Sequence, residues 1–177
     1  WQSIQELRVS FERLADIIDT KEESSESDKM NIPLPTIKGE VSFQDVSFSF
    51  KPTSPEVLKK VNIEITQGEF VGIAGQSGSG KSTLMKLLPR LYELNQGKIL
   101  IDGYDISKTE LYSLRRQIGV VPQEPLLFSG TISENISLTN PDVNSEEIVN
   151  AAKIADAHQF IMTLSEGYST QVGERGA

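Results

Sequence analysis

The residues Gly75-Gln76-Ser77-Gly78-Ser79-Gly80-Lys81-Ser82-Thr83 have the types and spacing for one kind of chemistry. They fit G-x-x-x-x-G-K-[ST], the loop that cradles the phosphates of a nucleoside triphosphate. A triphosphate needs several donors converging on it. Glycines at 75, 78 and 80 let backbone N–H groups turn inward, because a Cβ would block both the dihedrals and the approach. A helix starting after the loop would aim its positive dipole end at the phosphates. Lys81 is placed to reach the β- and γ-phosphates, and the Ser82 hydroxyl to ligate Mg2+.

The flanks supply the elements such a loop requires. Glu69 to Ala74 is a short apolar run, expected as a buried parallel strand. Thr83 to Leu88 reads as the start of a helix, with Leu84, Leu87 and Leu88 apolar. Upstream, residues 41–50 and 57–65 read as a β-hairpin around a Pro-containing turn at 51–55, although the first strand alternates imperfectly. Downstream, Lys98 to Ile101 with Asp102-Gly103 reads as a strand and turn. Leu111 to Arg116 reads as a helix, and Ile118 to Val121 as a second buried strand ending at Pro122-Gln123. Residues 145–165 read as helical, begun by Ser145 with Glu146 and Glu147. The fold class that follows is α/β: a P-loop NTPase core, with an antiparallel β subdomain before the phosphate loop and an incomplete helical insertion after Gln123.

Ahead of this core, Leu7, Phe11, Leu14 and Ile18 recur at helical spacing, so residues 3–18 read as an amphipathic helix. Residues 20–39 read as a linker, acidic and solvated over 21–28 and extended at Pro33 and Pro35. Bulk properties narrow the function. The net charge of −8 argues against a general nucleic-acid binder. The absence of cysteine excludes disulfides and thiolate metal sites. No apolar run approaches the ~18 residues of a membrane span. Trp1 opens the chain in mid-pattern and Gly176-Ala177 closes it without a terminating element, so a piece of a longer polypeptide is expected.

Several motifs in order resemble the nucleotide-binding domain of an ABC transporter. Phe50, 31 positions before Lys81, resembles the aromatic residue that stacks on adenine. Gly75 to Thr83 matches the Walker A loop. Residues 120–123, ending in Gln123, resemble the Q-loop. Leu127 to Ile136 is similar to the exporter segment that follows it, and Val172 to Gly176 resembles the exporter X-loop. The pairs Trp1-Gln2 and Arg13-Leu14, with residues 37–40, 51–55 and 151–158, are most similar to the haemolysin-exporter-like ATPases of type I secretion.

The resemblance implies ATP and Mg2+ as ligands. Phe50 would stack on the base with Val57 beside it. Gly75, Gln76, Ser77, Gly78, Ser79, Gly80, Lys81, Ser82 and Thr83 would hold the phosphates. Ser82 and Gln123 would ligate Mg2+. It divides the chain into the end of a last transmembrane-domain helix (1–18), a linker (19–39) and the first part of the ATP-binding domain (40–177). It implies a second ABC half, homodimeric by expectation, the protein's own transmembrane domain, and a place at the cytoplasmic face of the inner membrane. For the secretion branch it adds a periplasmic adaptor and an outer-membrane channel, and a protein or peptide cargo.

Phe50 departs from the family's usual tyrosine, yet stacking survives loss of the hydroxyl. The family's signature motif, Walker B, catalytic glutamate and switch histidine would follow residue 177, so no catalytic residue is assigned here. His158, inside an expected helix, is not the switch. These residues alone are expected not to hydrolyse ATP. The alternatives are a lipid or small-molecule exporter, an importer or soluble ABC ATPase, and a module that holds nucleotide without turnover.

Replacing Gln123 by Ala is expected to lower transport more than ATP affinity, because the Walker A contacts remain. Affinity measured beside transport in reconstituted vesicles checks this; lost affinity with fully coupled residual hydrolysis would contradict the Q-loop role.

Overall fold

Phe43 and Val46 stand three residues apart, yet both are buried. A regular strand would send them to opposite faces. The first strand, β1 (Val41–Phe48), solves this at Asp45, where φ is 49°. There its register shifts against both β2 (Leu58–Ile65) and β3 (Gln96–Ile101). Such a bulge resets the phase of the inward face, so Phe43, Val46 and Phe48 all enter the core. Asn62 stitches the bulge: its Oδ1 accepts the Asp45 N–H and its Nδ2 donates to Asp45 Oδ1, both at 2.9 Å. This accounts for the imperfect alternation of the sequence. β4 (Tyr104–Asp105) completes a sheet of order β2-β1-β3-β4, antiparallel throughout.

The computed structural model describes residues 11, 13–15, 18, 23, 31–123 and 126–173. They fall into two compact units, divided after Ile118. In the first unit, α1 (Lys81–Leu87) lays Leu84 and Leu87 on the sheet, as its apolar spacing predicts. The core they join holds Phe43, Val46, Phe48, Leu58, Ile99, Ile101, Ile106, Leu114 and Leu34. Burying each large side chain contributes at most about 1.5–3 kcal/mol.

Leu34 belongs to the segment read as a linker, and the described residues 31–39 of that segment are held on the domain. Residues 31–39 form a docked strap. Ile32 bridges to Thr109 in parallel, and the Leu34 N–H donates to Ser113 Oγ at 2.8 Å. Gln117 Oε1 accepts the Ile37 N–H at 2.9 Å, and its Nε2 donates to Pro35 O at 3.1 Å. Ser113 lies in α2 (Leu111–Arg115), with Gln117 just beyond it. Two prolines enforce extension, but side-chain hydrogen bonds and one buried leucine hold the extended chain against the domain. Of the acidic stretch, the described Glu23 pairs with Arg115, whose hydrogen bond holds its carboxyl below the usual range. Phe11, residues 13–15 and Ile18 are helical, and the rest of the helix expected over 3–18 lies outside the described residues.

Two further expectations fail. Residues 69–74 are not in a ladder, and Phe70 is 99% exposed. Residues 119–121 likewise form no strand, and Val121 is 97% exposed, although Ile118 packs on the core. A buried parallel strand needs neighbours for its N–H and C=O groups. Among the described residues nothing pairs with either run, so their apolar side chains stay in solvent.

The second unit, taken by itself, begins at Gly119. It contains α3 (Ile132–Ile136), α4 (Ser145–Ile154), α5 (His158–Thr163) and the short pair β5 (Gly130–Thr131) and β6 (Gln171–Val172). Thr131 and Glu134 form a capping box at α3. The single helix expected over 145–165 is two, broken where Asp156 takes φ 55°. The cap of α4 is Asn144 rather than Ser145, its side chain accepting the Glu147 N–H at 2.9 Å. Ile148, Ala152 and Ile161 are buried. His158 Nδ1 lies 2.9 Å from the Tyr168 hydroxyl, a packing role in keeping with its expected place in a helix. Among the described residues no helix is long and apolar enough to cross a membrane.

Asp102 joins the strap to the turn between β3 and β4. Its carboxylate accepts the N–H groups of Lys38, Gly39 (3.1 Å) and Glu40 (2.9 Å). Burial pushes this carboxyl up, but the three N–H donors and the Lys38 charge outweigh that and leave it below the usual range. A depressed carboxylate stabilises the fold above its unfolded pKa, and the contribution is lost as pH falls through the folded value. Asp102→Asn keeps a residue that tolerates positive φ and removes the charge. It is expected to cost about 1–2 kcal/mol at neutral pH, with the difference from the parent vanishing in acid. Urea unfolding of both proteins at pH 7 and pH 3 checks this; a difference independent of pH would contradict it.

Candidate functional site

The phosphate loop is set by a seam between β2 and α1. Gly80 caps α1 with φ 91°, a left-handed conformation that disfavours any side chain. A Cβ there would lie 2.8 Å from Leu58 Cδ2 and 3.2 Å from both Val57 Cγ1 and Val57 O. The start of β2 therefore fits against the start of the helix only because residue 80 is glycine. Gly78 also has positive φ, 80°, but open space around it.

Lys81 turns its ammonium back into the loop it follows. Its Nζ donates to Gly75 O at 2.9 Å, Gln76 O at 2.7 Å and, weakly, Ser79 Oγ at 3.4 Å. One cation thereby curls residues 75–79 around itself, leaving those residues exposed. Ser82 is exposed on the first turn of α1, while Thr83 is buried and contributes to packing rather than to an open surface.

The same seam reaches the aromatic residue. The Val57 N–H donates to Phe48 O at 2.7 Å, closing the hairpin two residues before Phe50. Val57 is half-buried on the core and touches the cap of α1, so it stands between the loop and the aromatic segment. Phe50 is half exposed. Its ring meets Phe48 edge-on at 5.1 Å and Tyr92 at 5.3 Å between centroids, and Phe48 and Tyr92 are 5.5 Å apart. Asn95 Oδ1 accepts the Ser49 N–H at 2.5 Å.

The first unit thus brings together Val57, the loop from Gly75 to Gly80, Lys81, Ser82 and Phe50. Gln123 belongs to the second unit, where it is exposed in a non-helical stretch flanked by Val120, Val121, Leu126 and Leu127. Just after it, Asn135 ties the segment resembling the exporter sequence: its amide donates to the carbonyls of Phe128 and Thr131 and accepts the Phe128 N–H, each at 2.9 Å. Of the X-loop-like residues, Val172 pairs with Gly130, and those beyond Gly173 lie outside the described residues. Sequence reasoning missed Tyr92, Asn95 and Asn135. The only signal for the first two is that a tyrosine and an asparagine end the helix connection where a polar turn would suffice.

The donor set fits a triphosphate with a hard cation. The glycine cradle admits close backbone approach, Lys81 supplies a cation, and Ser82 offers a neutral oxygen. No group of three or more metal-holding His, Asp or Glu side chains occurs among the described residues.

The ABC transporter family pattern matches residues 58–173. The chain is 48% identical, over all 177 residues, to the leukotoxin export ATP-binding protein LtxB of Aggregatibacter actinomycetemcomitans and to the leukotoxin translocation ATP-binding protein LktB of Mannheimia haemolytica. It spans 25% of the length of each. A solved bacterial Atm1-family ABC exporter with ATP bound superposes with a TM-score of 0.86 at 37% identity, over 98% of this chain and 30% of that one.

The seam makes a graded prediction. Gly78→Ala should cost about 1–2 kcal/mol from its left-handed backbone alone. Gly80→Ala adds a clash with Val57 and Leu58, and should cost about 1–3 kcal/mol more. Denaturant unfolding of the two variants checks the order; equal costs would show that the seam yields.

Proposed function

The chain belongs to the ABC transporter family, and on that premise we propose that it is the ATP-binding part of an exporter of the type I secretion kind. The observation that carries this reading is the 48% identity along the whole chain to leukotoxin export ATP-binding proteins, supported by Lys81 turned into the glycine loop at the start of α1. The full protein would couple ATP binding and hydrolysis to export of a protein or peptide cargo.

In this reading Phe50 stacks on adenine and Val57 packs beside it. Backbone N–H groups of residues 75–80 receive the phosphates. Lys81 gives up its bonds to Gly75 and Gln76 and turns its ammonium to the β- and γ-phosphates. Ser82 and Gln123 would be the residues to hold Mg2+, which when bound would supply neutralisation of phosphate charge. Phosphoryl transfer depends mainly on positioning and charge stabilisation. In this reading these residues bind and orient the nucleotide. The partners in this reading are a second ABC half, the protein's own transmembrane domain at the cytoplasmic face of the inner membrane, and a periplasmic adaptor with an outer-membrane channel. Residues 1–18 would end the last transmembrane-domain helix, and 19–39 would connect it to the ATP-binding domain over 40–177.

Lys81→Ala in the intact protein is expected to abolish turnover and transport, because it removes the one cation that the loop encloses. Steady-state phosphate release and cargo export by the variant provide the test. Parent-like rates for both would overturn the assignment.

A further inference from the structure

The aromatic platform and the phosphate loop are far apart in sequence, yet the structure links them twice. The first link is the seam: Phe48 O holds the Val57 N–H, and Val57 abuts Gly80. The second runs the other way around. α1 leaves the loop at Lys81, packs Leu84 and Leu87 into the core, and ends in a turn where the Arg90 N–H bonds Leu87 O and the Leu91 N–H bonds Lys86 O. The next residue, Tyr92, puts its ring against those of Phe48 and Phe50. Asn95 then takes the Ser49 N–H. Two residues on, Gly97 lies so close to the bulge of β1 that a Cβ would sit 2.4 Å from Asp45 O. Loop, helix, residues 92–97, residues 48–50 and Val57 form a closed circuit.

We infer that Tyr92 and Asn95 are positioning residues for base recognition, holding Phe50 at a fixed span from the phosphate loop so that a nucleotide is bound in preference to a bare polyphosphate. This rests on the reading of Phe50 as the adenine platform. The physical ground is that Phe50 is half exposed and anchored mainly by its neighbours. Edge-to-face contacts fix the plane of a ring, and a base stacks well only on a face already presented to it. With Phe48 buried behind it, Tyr92 supplies the contact on the side that belongs to the phosphate helix. Asn95 holds the backbone one residue before the ring. Lys81, by contrast, bonds to Gly75, Gln76 and Ser79, and Gly75 and Gly80 abut Ser79, Val57 and Leu58, so on this inference polyphosphate binding does not depend on Tyr92 or Asn95.

The test is competition, in the intact protein, of ATP and of inorganic tripolyphosphate against a fluorescent ATP analogue. The variants are Phe50→Ala, Tyr92→Leu, Tyr92→Phe, Asn95→Ala and the double variant Phe50→Ala with Tyr92→Leu. Tyr92→Leu keeps apolar bulk and loses the ring. It is expected to weaken ATP about fivefold while leaving tripolyphosphate unchanged, and that unchanged value also shows the fold to be intact. Tyr92→Phe should bind both competitors like the parent. Asn95→Ala should weaken ATP alone, by about threefold. The double variant should be no weaker than Phe50→Ala, since a positioning residue has nothing left to position. Equal losses on ATP and tripolyphosphate, additive losses in the double variant, or parent-like ATP binding by Tyr92→Leu would each overturn the inference. If Phe50→Ala itself binds ATP like the parent, the adenine platform falls and the inference falls with it. A loss in Phe50→Ala without one in Tyr92→Leu removes the inference alone.

Discussion

The contact on which the site depends is the approach of β2 to the first residue of the phosphate helix. Two elements that bind different parts of a ligand must be held rigidly, and the cheapest joint is one with no side chain in it. Gly80 provides that joint. Its left-handed backbone turns the chain from loop to helix, and the missing Cβ lets Val57 and Leu58 close against it. Leu58 carries the contact into the core with Leu84 and Leu87, so loop, helix and antiparallel sheet share one packed interior.

Against that firm joint stand the apolar runs at 69–74 and 119–121, which no described residue pairs. Their exposure has a clear energetic reading. A valine or phenylalanine left in water forgoes burial worth about 1.5–3 kcal/mol, and an unpaired strand edge invites association with another chain. Each strand of the antiparallel sheet, by contrast, has at least one partner within the first unit. The chain thus joins a paired β subdomain to segments whose composition suits a sheet with more members.

The phosphate loop was legible because its glycines, lysine and hydroxyl are demanded by local geometry, and the hairpin and the helix core face because hydrophobic period reports burial. Legibility failed where the deciding partner was distant in sequence. The broken alternation of β1 follows from a bulge held by Asn62, and nothing near Asp45 announces it. The strap looked like a tether since its composition is polar and proline-rich. Its anchors, Ser113, Gln117 and Asp102, lie roughly 60–80 residues away. Asn144 outranked Ser145 as a cap by one position, within the usual spread of helix boundaries. The two apolar runs were read as buried strands and are not, because composition cannot supply the neighbour that makes a strand.

The order of the sheet also bears on how the site comes into being during synthesis. β1 and β2 are consecutive and can zip together as soon as both leave the ribosome. β3, which pairs with β1 on its other side, follows only after the whole phosphate loop and its helix. The nucleotide-binding segment is therefore the closing loop of the sheet, and the entropy of bringing its ends together is recovered only when β3 docks. Until then the glycine loop has a wall on one side and no floor. Maturation of the loop is tied to emergence of Ile101, well before the second unit has been made. Of the two units, the one that carries the phosphate cradle is the first to be completed.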